Sequence, residues 1–190
     1  MIVLASSSPR RRELLTMLGI RHLVDPAAID ETPKNAEAPE LRARRLAREK
    51  AVTVARRHAG QPVLGADTIV VLGDLVLNKP ESPADAETML ADLAGRDHTV
   101  ITAVALARDA TVWERCDMTR VRFRPLSAEV IRAYVATGEP LDKAGAYGVQ
   151  GYGAALVERI EGDFFGVMGL PLRLVLELLE SAGMPYRFTR

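Results

Sequence analysis

One carboxylate interrupts an apolar stretch. In VLGADTIVVL, residues 63–72, Asp67 is the single charged side chain. A carboxylate withdrawn from water is costly unless a cation or a metal meets it, and such a group is a candidate for function. The alternative is that Asp67 ends a strand and caps a loop, which the neighbouring Gly65 and Ala66 permit. Lys50 follows Leu46 by four residues, follows Ala47 by three and precedes Val54 by four, so it shares the apolar face of its helix. It either snorkels to water or reaches into a cleft beside the core. Lys79, in LNKPES, directly follows a strand and is either a surface-turn residue or a side chain projecting off the sheet edge into a crevice. Ser6, Ser7, Ser8, Arg10 and Arg11 sit at a strand end and a helix N-terminus. Free N–H groups, hydroxyls and guanidinium forks there suit a phosphate, against the plainer reading of a cap with solvated arginines. Asp30, Glu31 and Asp67 could hold a divalent cation. Phosphates, Mg²⁺ and carboxylates together are the equipment of nucleotide hydrolysis.

Other chemistries lack their residues. There is no G-x-x-x-x-G-K-[ST], no G-x-S-x-G and no H-E-x-x-H, and GVQGYG does not fit G-x-G-x-x-G. His22, His58 and His98 are scattered beside charged residues and are expected at the surface. Cys116 is the lone cysteine, so an internal disulfide or a cysteine-based zinc site is excluded.

The elements that must position these groups alternate. Residues 2–5 have strand length, Ser8-Pro9 opens a helix with Leu14, Leu15 and Leu18 inward, and Gly19 stops it. Residues 23–37 are mostly loop. A helix from Pro39 to about Ala59 turns Leu41, Leu46, Ala47, Ala51, Val54 and Ala55 to one face and arginines to the others. Residues 63–77 form one or two strands with a turn at Gly73-Asp74. Ser82-Pro83 opens a helix closed by Gly95. Residues 98–107 form a buried strand, and residues 119–124 alternate as another. Ser127 caps a helix ending at Gly138. The segment 138–153 carries Gly138, Gly145, Gly148, Gly151 and Gly153 and must turn sharply or approach something closely. A strand over 155–160, a turn at 161–163, a short apolar run over 164–168 and a helix opened by Pro171 complete the chain. This alternation is an α/β pattern.

Composition agrees with a globular enzyme-sized domain. The chain has 190 residues, 48% hydrophobic and 26% charged, with 25 basic and 25 acidic side chains. Nucleic-acid binding is disfavoured by that balance and by few aromatics for stacking. No apolar run approaches the roughly 20 residues of a membrane helix. The first residues, MIVLASSSPRRR, place basic groups after the apolar stretch, the reverse of a secretory signal, and the expected location is the cytoplasm.

The motifs LASSSPRRRELL, LAREKA, LGADTIV, LNKP, TAVAL, GEPLDKAGAYGVQGYGA and GLPL, in this order along essentially the whole chain, resemble the Maf family of nucleoside triphosphate pyrophosphatases. The resemblance implies one domain over 1–190 with an inosine-triphosphatase-like fold: a twisted mixed sheet flanked by helices, in two lobes with a central cleft. It implies cleavage between the α- and β-phosphates, a divalent metal (Mg²⁺ or Mn²⁺), a homodimer, and no nucleic-acid or membrane partner. It places the catalytic carboxylate on Asp67, where it would activate water directly or through the metal, and a second metal position on Glu31. Ser6, Arg11, Lys50 and Lys79 fall on phosphate-binding positions. Arg10, Thr68 and Gln150 fall on specificity positions. GAYGVQG resembles the subgroup acting on dTTP and UTP, whereas the 7-methyl-GTP subgroup carries an acidic residue where Gln150 stands. Glutamine offers a donor and an acceptor to the imide edge of uracil or thymine. The alternatives are 7-methyl-GTP or broad-specificity cleavage, and a non-catalytic nucleotide-binding regulator of septum formation and cell division.

Overall fold

Strand, loop and helix open the chain. In the computed structural model, which describes residues 1–188, β1 (Ile2–Leu4) leads to α1 (Pro9–Met17). Pro9 takes the first helical turn, where its missing N–H costs nothing. Ser8 holds the N-cap position, but its side chain makes no capping bond. The next elements are β2 (His22–Val24), α2 (Pro39–Ala55), β3 (Val63–Leu72), β4 (Leu75–Leu77), α3 (Pro83–Leu93), β5 (Asp97–Arg108) and β6 (Thr111–Phe123). They are followed by α4 (Ala128–Val135), three short 3₁₀ turns between Glu139 and Leu156, β7 (Val157–Glu161), α5 (Phe164–Met168) and α6 (Leu172–Ser181). Ser82 and Ser127 cap α3 and α4 through their hydroxyls, each accepting the N–H three residues on.

The seven strands form one mixed sheet in the order β2-β1-β3-β5-β6-β7, with β4 paired to β3. β1 runs parallel to β2 and to β3, while β3–β4 and β6–β7 are antiparallel. The expected α/β class with helices and a mixed sheet is therefore the observed one. Among the described residues, no helix is long and apolar enough to cross a membrane.

The chain divides into two compact units. Of the described residues, one unit holds 1–67, 102–117 and 169–188, and the other 68–101 and 118–168. In the first, Val3, Ala5, Val54 and Val63 form a buried cluster. In the second, Val70, Leu90, Leu93, Phe123, Tyr134 and Tyr147 belong to a larger core.

Several expectations are corrected. Leu41 is 60% exposed rather than on the buried face of α2: the buried positions Ala43, Leu46, Ala47, Lys50, Ala51 and Val54 recur every three or four residues, and at roughly 100° per residue Leu41 falls on the opposite side of the helix. β6 begins at Thr111, earlier than the alternation at 119–124 suggests, since it follows β5 after two residues and is adjacent to it in the sheet. Residues 22–24 are a strand because pairing with β1 supplies what their own pattern lacks. The 164–168 run is a helical turn, with Asp163 Oδ1 accepting the Gly166 N–H at 3.0 Å.

Gly65 fixes how α2 lies on β3. A Cβ there would stand 2.3 Å from the Ala47 carbonyl oxygen and 2.7 Å from the Ala51 nitrogen. Both are backbone atoms and cannot swing aside, so only glycine allows this approach. Gly65→Ala is expected to lower stability by ~1–3 kcal/mol through overpacking, read as a shift in the urea midpoint at unchanged slope.

Candidate functional site

Asp67 follows Gly65 by two residues on β3, so both side positions share one strand face. That face receives α2, whose buried positions include Ala47, Lys50 and Ala51. The small Gly65–Ala47–Ala51 contact brings the helix close, and Lys50 spans the remaining distance to Asp67. Lys50 and Asp67 are 9% and 7% exposed, and Lys50 Nζ donates to Asp67 Oδ1 at 2.8 Å. The same ammonium lies 2.8 Å from Glu31 Oε1, whose side chain is 55% exposed. Burial raises the Asp67 pKa above its ordinary value; Lys50, then Arg11, pull it back only in part. The site thus holds a carboxylate of raised basicity, gripped by one ammonium and facing a second, solvated carboxylate.

The loop carrying Glu31 is held by arginines that the sequence pattern assigns merely to the outer faces of α2. Arg45 grips Glu37 with Nε at 2.6 Å and Nη2 at 2.8 Å, and also donates to Glu49 and to the Thr32 carbonyl. Arg42 donates to the Glu31 carbonyl at 3.3 Å. The Arg45 fork holds the Glu37 carboxyl down to about 2, well below its usual range. Asp30, the other acidic candidate in this loop, accepts the Thr32 N–H at 2.9 Å, a local turn contact.

The opening loop is tied down from inside. Arg11 is buried, with Nε donating to the Gly169 carbonyl at 2.8 Å and Nη1 to the Ala66 carbonyl at 2.9 Å and Ser6 Oγ at 3.0 Å. Ser6 Oγ also accepts the Ser8 N–H at 3.2 Å. Arg11 therefore joins Ser6 to the residue just before Asp67, a fixing role that a run of three arginines does not advertise. Arg10 beside it is half-buried.

Thr68, Lys79 and Gln150 belong to the second unit. Thr68, next to Asp67, is half-buried, whereas Lys79 and Gln150 are exposed. The segment bearing Gln150 is anchored at two places. Tyr147 is buried against Phe123 and His98, with 2.8 Å between its hydroxyl and His98 Nε2. His98 is 3% exposed, contrary to the surface position expected for it, because Tyr147 supplies a partner from 49 residues away. Burial pushes its pKa down to about 4, so the ring is neutral at neutral pH. The second anchor is Glu139. Its Oε1 accepts from Tyr134 Oη at 2.8 Å and Gly153 N at 2.9 Å, and its Oε2 accepts from Tyr152 N at 2.8 Å. Burial alone would raise the Glu139 pKa; these donors outweigh it and hold the carboxyl below its usual range.

The Maf-like protein family matches residues 1–182. The chain belongs to the Maf family. Relatives similar to this Maf chain include the dTTP/UTP pyrophosphatase of Myxococcus xanthus, 53% identical over 97% of this chain and 94% of that protein. Those of Alcanivorax borkumensis (51%, covering 97% of both chains) and Symbiobacterium thermophilum (50%, covering 97% and 95%) carry the same name. Among solved structures, the Staphylococcus aureus Ham1 protein is similar over 82% of this chain and 79% of that one, with a TM-score of 0.45 and 13% identity.

The acidic residues of this Maf chain form no cluster of three or more His, Cys, Asp or Glu suited to a metal among the described residues. Glu31 and Asp67 nevertheless converge on one cation, the Lys50 ammonium. Two carboxylates are hard oxygen donors of the kind Mg²⁺ takes, an ion that keeps several waters rather than an all-protein cage.

Removing one partner of a buried pair leaves the other charge uncompensated. Lys50→Met is expected to cost ~3–5 kcal/mol at neutral pH. The deficit should shrink as pH falls, since the stranded Asp67 then takes up a proton in the folded state. Urea unfolding of both proteins at several pH values measures it; a deficit independent of pH would count against the pairing.

Proposed function

We propose that this chain hydrolyses dTTP and UTP to the monophosphate and pyrophosphate, adding water across the anhydride between the α- and β-phosphates. The carrying observation is near-full-length identity of about half to relatives named for that activity. The buried Lys50–Asp67 pair with Glu31 beside it supplies a physical centre for the chemistry.

In this reading Asp67 accepts the proton of the attacking water. Its raised pKa makes it a better base than an ordinary carboxylate, while at neutral pH the Lys50 ammonium supports its ionised form. Lys50 also fixes the carboxylate's direction. Ser6, Arg11 and Lys79 are the phosphate-side groups, Arg11 acting partly by holding Ser6 in place. Glu31 and Asp67 would hold Mg²⁺ or Mn²⁺, which when bound neutralises triphosphate charge. Gln150, exposed at its turn, pairs its amide donor and acceptor with the imide edge of thymine or uracil, and Arg10 and Thr68 are the other specificity residues. The family resemblance supports a homodimer, and nucleotide substrates support work in the cytoplasm.

Pyrophosphate release from a panel of nucleoside triphosphates, with Mg²⁺ and with Mn²⁺, tests the activity. Turnover of dTTP and UTP is expected; exclusive turnover of 7-methyl-GTP would overturn the reading of Gln150. Asp67→Asn should lower kcat by roughly 10²–10⁴-fold and retain nucleotide binding and the folded circular dichroism spectrum. As the wild-type pH falls, kcat should decline as Asp67 takes up a proton and ceases to act as base, and this acid limb should be absent from the residual activity of Asp67→Asn.

A further inference from the structure

We infer that Glu139 is a positioning residue for base selection, acting through the turn that presents Gln150; this rests on the dTTP/UTP reading above. Gln150 sits between Gly148 and Gly151, whose N–H donates to the Gly148 carbonyl at 3.4 Å. Both flanks of that turn are bound to one Tyr134–Glu139 unit. On the near side, Gly148 N donates to Tyr134 Oη at 3.1 Å. On the far side, Tyr152 N and Gly153 N donate to the two oxygens of Glu139, and Tyr134 Oη donates to Glu139 Oε1. Lys143 Nζ closes the base of the assembly by donating to the Glu139 carbonyl at 2.6 Å.

The glycines show how tightly the chain wraps this carboxylate. A Cβ at Gly151 would lie 2.1 Å from Glu139 Oε2, and one at Gly153 would lie 2.5 Å from the Gly148 carbonyl oxygen and 2.8 Å from Tyr134 Oη. The backbone on either side of Gln150 is thus shaped around the hydrogen-bonded Tyr134–Glu139 pair. Val149 and Tyr147 are buried, whereas Gln150 is exposed, so the turn directs one polar side chain outward from an anchored frame. A glutamine selects a base only if its amide is held in register with the donor and acceptor it must match, and an anchored turn fixes that register before the nucleotide arrives.

The chemistry of Glu139 is specific. A carboxylate accepts on both oxygens, as three donors on two oxygens require, whereas an amide has one accepting oxygen. Glu139→Gln keeps the shape and forces at least one of the three donors to lose its acceptor. Tyr134→Phe is the gentler second variant: it removes the hydroxyl that joins Gly148 to Glu139 and leaves the carboxylate its two backbone donors.

The test is steady-state pyrophosphate release from dTTP and from dCTP by wild type and both variants, with thermal melting beside it. The two nucleotides share the triphosphate and sugar; thymine presents an imide edge and a 5-methyl group, cytosine an N3 acceptor and a 4-amino donor and no methyl. Glu139→Gln is expected to raise KM for dTTP by about tenfold, equivalent to ~1.4 kcal/mol, with a smaller effect on kcat. It should narrow the dTTP-over-dCTP ratio of kcat/KM by a similar factor, and Tyr134→Phe should move the same ratio in the same direction by less. A merely structural role would lower the melting temperature and depress turnover of both nucleotides equally. That result in Glu139→Gln, or an unchanged ratio in a folded Tyr134→Phe, overturns the inference while leaving the activity intact. A wild-type protein with no preference for dTTP over dCTP would overturn the reading of Gln150 and this inference together.

Discussion

The Lys50–Asp67 ion pair sets the terms for the rest of this site. A carboxylate on a buried strand face would protonate and lose its use unless a cation met it. An ammonium on a helix lying directly against that strand solves the problem, but only if helix and strand approach closely. Gly65, Ala47 and Ala51 provide that approach with atoms too small to hold the backbones apart. The result is a compromise in charge: Lys50 keeps Asp67 ionisable, and burial keeps it more basic than a surface aspartate. A fully solvated aspartate would be a weaker base, and a more strongly paired one would hold its charge too firmly to accept a proton.

Around that pair, the supporting groups are backbone carbonyls and arginines rather than further acids. Arg11 reaches the Ala66 carbonyl next to Asp67 and the Ser6 hydroxyl together. Arg45 and Arg42 restrain the Glu31 loop from α2, the same helix that delivers Lys50. One helix therefore positions both the ammonium and the exposed carboxylate it also contacts. In the second unit the same economy recurs, where Tyr134 and Glu139 together hold glycine backbone on both sides of Gln150.

Some of this is legible in the sequence because it follows local rules. Asp67 stands out in its apolar strand, Lys50 falls on the apolar face of a helix with a clear 3.6-residue period, and Ser82 and Ser127 are caps at helix starts. What stays hidden depends on partners remote in the chain. Arg11 looks solvated within an arginine run until Gly169, 158 residues on, supplies a carbonyl. His98 looks like a polar strand-end residue until Tyr147 buries it. Glu31 lies in an aperiodic loop, so no pattern ties it to Lys50. The glycines of 138–153 signal a constrained backbone, yet only the coordinates show that it is constrained around Glu139.

The most direct measurement is a side-chain carboxyl NMR titration of the protein labelled with ¹³C-aspartate, with the Asp67 resonance assigned by its loss in Asp67→Asn. The Asp67 midpoint is expected to lie above the ordinary aspartate value of 3.8 and to move further up when Lys50 is replaced by methionine. A midpoint at or below that value, or one indifferent to Lys50, would contradict a buried base governed by its ammonium partner.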